Sequence, residues 1–315
     1  MSERGAWERG REHYGELMHS DLPSSSPELA APDVSPAVPD AAPRPVEGVA
    51  APVTADAPVP ERTALSIRGL RKSFDKTEVV HGISLDVPQG SFYGIVGPNG
   101  AGKTTTLSMA TGLLRPDGGT VAVHGKDFWS DPVAGKAQLG VLPDGVRLFD
   151  RLTGAQLLTY AGLLRGMDRD TVDRRTEDLL RALDLTKDAK TFVVDYSAGM
   201  TKKIALGCAM IHAPRTLVLD EPFEAVDPVS AANIRDILAD YVRSGGTVIV
   251  SSHVMDLVQR MCDHVAIIAA GQIRAAGTID EVRAGASLED RFVELVGGRQ
   301  QTEGLEWLRT SSDSA

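Results

Sequence analysis

Gly97-Pro98-Asn99-Gly100-Ala101-Gly102-Lys103-Thr104 constrains this chain more than any other stretch, because few backbones can follow it. Its glycines let consecutive N–H groups turn inward, where a Cβ would block both the required φ values and the approach of an anion. The apolar run Phe92–Val96 before it reads as a short buried strand, and Thr104–Leu114 after it reads as a helix. Such a helix aims its first N–H groups and its positive dipole end at the loop. In that context the pattern G-x-x-x-x-G-K-[ST] cradles nucleotide phosphates. Lys103 supplies a mobile charge for the β- and γ-phosphates, the Thr104 hydroxyl is placed to ligate Mg²⁺, and Thr105 follows in the same turn. A glycine-rich turn with an incidental Lys-Thr is the competing reading, and the flanking strand and helix weigh against it.

The chain has 315 residues, 42% of them hydrophobic, enough for one large or two modest cores. A formal net charge of -10 argues against a general nucleic-acid partner, which requires basic surface. Residues 1–62 hold eleven acidic and five basic side chains together with ten of the 18 prolines, and show no periodicity that could bury a face. They are expected to be a disordered Pro/Ala-rich acidic extension, the short segment around Trp7 and Tyr14 included. Cys208 and Cys262 lie in apolar surroundings, so no disulfide framework is expected and a reducing cytoplasm fits. No apolar run reaches the length of a membrane span and the first residues lack a signal core, so the chain itself is expected neither to cross a membrane nor to be exported.

Order is expected from residue 63 to residue 297, with 298–315 as a tail. Leu65-Ser66-Ile67 and Val79–Val87 read as strands around the polar turn Asp75-Lys76-Thr77, and Gly119–His124 and Leu139–Leu142 as two more. From Thr153 the pattern turns helical. Thr153-Gly154-Ala155-Gln156 has the form of a capping box, and Arg169–Leu183 and Ser197–Ile211 follow as helices. Then strand and helix alternate: Thr216–Leu219, Pro228–Val242, Thr247–Val250, His253–Met261 and Val265–Ala269. This predicts a mostly parallel sheet with helices on its faces, and a helical subdomain inserted at about 144–211 between its halves.

Thr216–Leu219 ends in Asp220 and Glu221. A buried strand brings Asp220 to the carboxyl edge of the sheet, where it can hold Mg²⁺ and where Glu221 can polarise the water that attacks a γ-phosphate. His253, after the strand Thr247–Val250 and the pair Ser251-Ser252, falls within reach of that phosphate. His264 reads as a satisfied core histidine, and the histidines show no zinc-ligand spacing. Ser197 and Gly199 open a helix ahead of the acidic strand, a second N-terminus suited to an anion.

In this order the motifs resemble those of ATP-binding cassette proteins over residues 64–297. Tyr196-Ser197-Ala198-Gly199-Met200 is similar to the family's signature loop, usually L-S-G-G-Q. Lys103 and Thr104 match its Walker A site, Asp220 and Glu221 Walker B, Asp227 the D-loop, His253 the switch histidine and Phe74 the adenine-stacking aromatic. The resemblance implies an α/β P-loop NTPase of ABC type: a mixed core sheet, an antiparallel β-subdomain and the helical insertion. It implies ATP and Mg²⁺ as ligands, and ATP hydrolysis. It also implies a second cassette subunit, a homodimer by default, with each ATP between the loop of one chain and the signature of the other. Residues 265–281 and 287–296 look like the efflux branch, which implies an integral membrane permease as partner and a cytoplasmic place at the inner face of the membrane. Three departures stand out. Asp144 replaces the usual Gln, as a metal ligand that cannot donate a hydrogen bond when ionised; Ala198 and Met200 alter the signature; Phe223-Glu224 stands where small polar residues are usual. Two alternatives to an exporter remain at this point, a non-transport ATPase of DNA or translation and a low-turnover ATP-sensing module. Residues 105–195 show no sustained heptads of the kind repair and chromosome members carry, and one chain holds one cassette.

Overall fold

The computed structural model describes residues 53–297; the segments 1–52 and 298–315, to which the expected extension and tail largely belong, lie outside the described residues. Strand β1 (Thr63–Phe74) turns through Asp75, at φ 52, into β2 (Thr77–Pro88). Then come β3 (Phe92–Val96), α1 (Lys103–Ala110), β4 (Gly118–Val123), β5 (Lys126–Asp127), α2 (Pro132–Gln138) and β6 (Leu139–Leu142). The helical stretch holds α3 (Gly154–Leu164), α4 (Arg169–Ala182) and α5 (Ala198–Met210). Next are β7 (Thr216–Asp220), α6 (Pro228–Arg243), β8 (Thr247–Ser252) and α7 (Met255–Met261). The described chain ends with β9 (His264–Ala269), β10 (Gln272–Thr278), α8 (Ile279–Arg283) and α9 (Leu288–Val296).

Two sheets form. The larger runs β10-β9-β3-β8-β7-β6, parallel throughout except for β10, which pairs antiparallel with β9. The smaller, β2-β1-β4-β5, is antiparallel. The expected mixed core sheet, antiparallel β-subdomain and helical insertion are all present. All five residues of β3 and of β7 are buried, as expected of strands covered on both faces. One apolar cluster joins the face of β3, β7 and β8 that carries Val96, Leu217 and Val248 to the insertion through Leu158, Leu183 and Ile204. A second fills the space between the two sheets and α1 with Ile67, Leu85, Tyr93 and Met109. Within β1, Arg68 binds Asp86 with two nitrogens at 2.8 Å and holds the Ala57 carbonyl at 3.1 Å, which ties the segment ahead of β1 to the small sheet.

Several boundaries differ from the sequence expectation. Helix α1 stops at Ala110 instead of Leu114, because Gly112 turns left-handed at φ 71 and the Thr111 hydroxyl bonds back to the Leu107 carbonyl. His253 lies outside α7: Val254 is extended and forms its N-cap. Helix α2 and strand β10 were not anticipated. No residue of α2 is buried, so it shows no apolar periodicity, and β10 returns from β9 through the tight turn Ala270-Gly271.

Candidate functional site

The glycine loop joins the carboxyl end of β3 to α1. A Cβ on Gly97 would stand 2.2 Å from the Ile268 carbonyl oxygen, so no other residue fits where the loop crosses β9. Gly102 is the N-cap of α1 at φ 99, and no side chain caps that helix. Seven of the nine α-helices among the described residues do carry a side-chain cap, from Asp131, Thr153, Asp168, Ser197, Asp227, Thr278 and Ser287. The first N–H groups of α1 are therefore left for an external acceptor. Lys103 is 7% exposed; its Nζ donates to the carbonyls of Gly97 at 2.8 Å and Pro98 at 3.3 Å, which holds the ammonium across the loop. Thr104 is exposed on the first turn, with Thr105 half-buried beside it.

The acids meet at the carboxyl ends of β7 and β8. Asp220, 3% exposed, accepts a short hydrogen bond at Oδ1 from the Ser251 hydroxyl. Ser251 Oγ in turn accepts from the Glu221 backbone N–H at 3.0 Å. Glu221 stands at φ 47 and Ala225 at φ 60, left-handed conformations that cost about 1–3 kcal/mol each and persist only where the surroundings impose them. Glu221 Oε1 lies 3.0 Å from His253 Nδ1. An ionised carboxylate only accepts, so Nδ1 carries the hydrogen and Nε2 is left free. Asp220, Glu221 and His253 are thus brought together at one edge of the sheet. Ser251 was noted only as part of a polar pair; its signal was a small hydroxyl at the carboxyl end of a buried strand adjacent to the acidic one.

The other candidates sit apart from that cluster. Asp144, in the loop after β6, accepts from Gly145 N–H at 2.8 Å and lies 4.0 Å from Lys202 Nζ on α5. Sequence reasoning assigned Lys202 nothing. Ser197 caps α5, accepting from Met200 N–H at 3.2 Å, and a Cβ on Gly199 would lie 3.3 Å from the Ala225 carbonyl oxygen. Tyr196, in place of the usual Leu, donates its hydroxyl to the Asp188 carbonyl at 2.8 Å, and Met200 packs partly against the core. Asp227 caps α6 with bonds from the N–H groups of Val229 and Ser230, both 3.0 Å; the Ser230 hydroxyl first, and these N–H groups after it, hold its carboxyl below the usual range. Phe223 is explained by packing: it leans on the larger core and anchors the loop from Glu221 to Asp227. Phe74 ends β1 with its ring 46% exposed and Lys72 Nζ 5.8 Å from its centre. His264, stacked on Tyr93 at 5.9 Å and bonded to Asp263 at 2.6 Å, faces none of this.

Asp220 is a nearly buried carboxylate with no ion pair to any cation among the described residues, an arrangement that is costly without a counter-charge. With the Thr104 hydroxyl it supplies hard oxygen donors, which fit magnesium and not a thiolate-seeking metal.

A phosphate-cradling loop between a buried parallel strand and an uncapped helix, with paired acids on a nearby strand, defines a nucleoside-triphosphate-binding α/β protein. Comparison with known proteins narrows the class. Residues 80–224 match the family described as ABC transporter. Over 214 residues the chain is 34% identical to the linearmycin resistance ATP-binding protein LnrL of Bacillus subtilis, covering 68% of this chain and 69% of that one. It is also 34% identical over 220 residues to the daunorubicin/doxorubicin resistance ATP-binding protein DrrA of Streptomyces peucetius, covering 70% and 67%. A solved ATP-binding subunit of an ABC transporter superposes with a TM-score of 0.70 at 28% identity, over 74% of this chain and 99% of that one. The chain belongs to the ABC transporter family, as an ATP-binding and ATP-hydrolysing subunit. Subunits of this family pair with one another and work with membrane permeases. Among the described residues no helix is long and apolar enough to cross a membrane.

Proposed function

We propose that this subunit drives export through a separate integral membrane permease, as a homodimer at the inner face of the cell membrane, with Mg²⁺ as the metal of its ATP. The observation that carries the reading is the uncapped start of α1 at the carboxyl edge of the sheet that also holds the prearranged Asp220–Ser251–Glu221–His253 cluster, on strands parallel to β3. The loop Gly97–Thr105 binds the phosphates through backbone N–H groups, and Lys103 exchanges its two carbonyl partners for phosphate oxygens. Phe74 stacks on the adenine from its exposed position. Thr104 and Asp220, with Asp144 as a further carboxylate, would hold the magnesium, which would supply positive charge to the phosphates. Glu221 accepts a hydrogen bond from the attacking water. As that oxygen bonds to the γ-phosphorus and the bond to the β-bridging oxygen breaks, ADP and phosphate leave and the water's proton passes to solvent by way of the carboxylate. His253 fixes the carboxylate through Nδ1–H, which leaves Nε2 for the γ-phosphate.

Ser197, Gly199 and Asp227 complete the site of a second copy. Each chain holds one phosphate loop and one signature, so two chains placed head to tail make two whole sites. Motion between the helical insertion, residues 144–211, and the core then passes to the permease. The resistance named for LnrL and DrrA supports the export direction, and the cargo is selected by the permease. The test uses the full chain. With Glu221→Gln and Mg·ATP, light scattering is expected to show a doubling of mass, while the unmutated protein returns to monomer as ATP is consumed. Purification from membranes is expected to bring an integral membrane protein with it. A variant that stays monomeric with ATP bound, together with a partner set of soluble proteins only, overturns the reading.

A further inference from the structure

A cavity of about 420 Å³ opens at the amino-terminal edge of the large sheet, on the side away from the glycine loop. It lies among the end of β4, the β5–α2 segment, and the residues just ahead of β6 and β7. Asp220 closes the opposite end of β7, four residues along the strand from Thr216. Nothing in the nucleotide reading uses this cavity.

Its chemistry is uneven in a useful way. Lys126 and Arg215 stand on its walls, exposed, and no carboxylate pairs with either among the described residues. Both acids of the cavity are partly engaged: Asp127 Oδ1 accepts from Ser130 N–H at 2.7 Å and Asp131 Oδ1 from Ala134 N–H at 3.0 Å, which leaves one oxygen of each as an acceptor. Two further lining residues, His124 and Gln138, each carry a buried polar atom, Nδ1 and Oε1, with no protein partner. The His124 tautomer follows from its other nitrogen. Thr216 is wholly buried and its hydroxyl meets His124 Nε2 at 3.0 Å, so giving the hydroxyl hydrogen an acceptor makes Nε2 accept and leaves the proton on Nδ1. His124 is held below its ordinary pKa first by burial and second by Arg215, which places the guanidinium close to the ring. Polar groups of both senses, two unpaired cations and a concave wall are what a small charged ligand requires.

We propose that this cavity is a second binding site, for a small phosphorylated or carboxylated polyol. Arg215 and Lys126 take the anionic group, and the free oxygens of Asp127 and Asp131 accept from its hydroxyls. A bare inorganic anion uses half of this set, and an uncharged polyol uses the other half.

Glycerol 3-phosphate is the probe. It is titrated by calorimetry into the full chain saturated with Mg·ADP, so that the phosphate loop is already filled. One saturable site per chain is expected, with glycerol giving no measurable heat. Arg215→Gln is expected to weaken binding about tenfold or more, as the loss of a charge-assisted contact of at least 1.4 kcal/mol requires, with Lys126→Gln weakening it less. Both side chains are exposed, and unchanged ATPase rates and melting temperatures verify that the variants are folded. Two results overturn the proposal: no saturable binding of the probe, or binding in both variants as tight as in the unmutated chain.

Discussion

Helix α1 opens on a left-handed glycine with no side chain over its first N–H groups, whereas α5 opens on Ser197, whose hydroxyl already accepts from Met200 N–H at 3.2 Å. Each is a helix start rich in small residues and followed by lysine. The physical difference is where the first-turn donors go. In α1 they await an anion, and the nearby lysine is parked on loop carbonyls that a phosphate oxygen can replace. In α5 the cap is internal, Gly199 leans on the chain's own loop at Ala225, and Tyr196 is fastened to Asp188. One end is therefore prepared for a ligand by this chain alone. The other is finished as a helix by bonds within this chain.

The sharpest test of this contrast concerns turnover. Glu221→Gln keeps both helix starts and removes the proposed base, so phosphate release at saturating ATP is expected to fall on the order of 10³-fold with ATP affinity retained; a fall in affinity of the same size would place Glu221 in binding instead. Next comes affinity itself. Lys103→Ala is expected to weaken equilibrium ATP binding about 10- to 100-fold, while Ser197→Ala leaves the affinity of the monomer unchanged. Equal losses in the two would break the comparison. Stability reverses the ranking. Ser197→Ala strips a cap and is expected to cost about 1 kcal/mol, seen as a drop of about 2–4 °C in melting temperature, and no residue caps α1 by its side chain.

The effect confined to acid conditions is on pH dependence. His212, just after α5, donates Nε2–H to the Leu139 carbonyl at 3.0 Å, and burial first, then Arg165, lower its pKa to about 4. The unfolded chain binds this proton near pH 6.5 and the folded one does not until about 4, so stability is complete above 6.5 and declines as pH falls between those values. His212→Gln is expected to flatten the melting temperature over that window; an unchanged slope would mean that another group carries it.

Some of this was legible before any coordinates. Thr153 and Gln156 form the reciprocal capping box their spacing announced, and β3 and β6 begin and end where the apolar runs do. These are local facts, decided by residues within one turn or one strand. Helix α2 stayed hidden because it buries nothing, and β1 runs to twelve residues although its second half, near Lys72 and Ser73, alternates poorly. Ser251 could be seen but not understood. Its bonds reach Asp220 and Glu221, 31 and 30 positions away in the chain, through the β7–β8 register that pairs Asp220 with Ser251.

The sequence alone determined the phosphate loop, the strand ending in two acids and the helix starts, because each depends on backbone permissiveness and on residues in immediate succession. Tertiary structure decided which of those features face one another. Strand β8 lies between β3 and β7, and that placement brings Ser251 to Asp220 and His253 within 3.0 Å of Glu221. It also set Asp144 beside Lys202 and opened a polar cavity at the far edge of the same sheet. Strand order and register are long-range properties, settled when whole faces are buried at once, and no short stretch of sequence contains them.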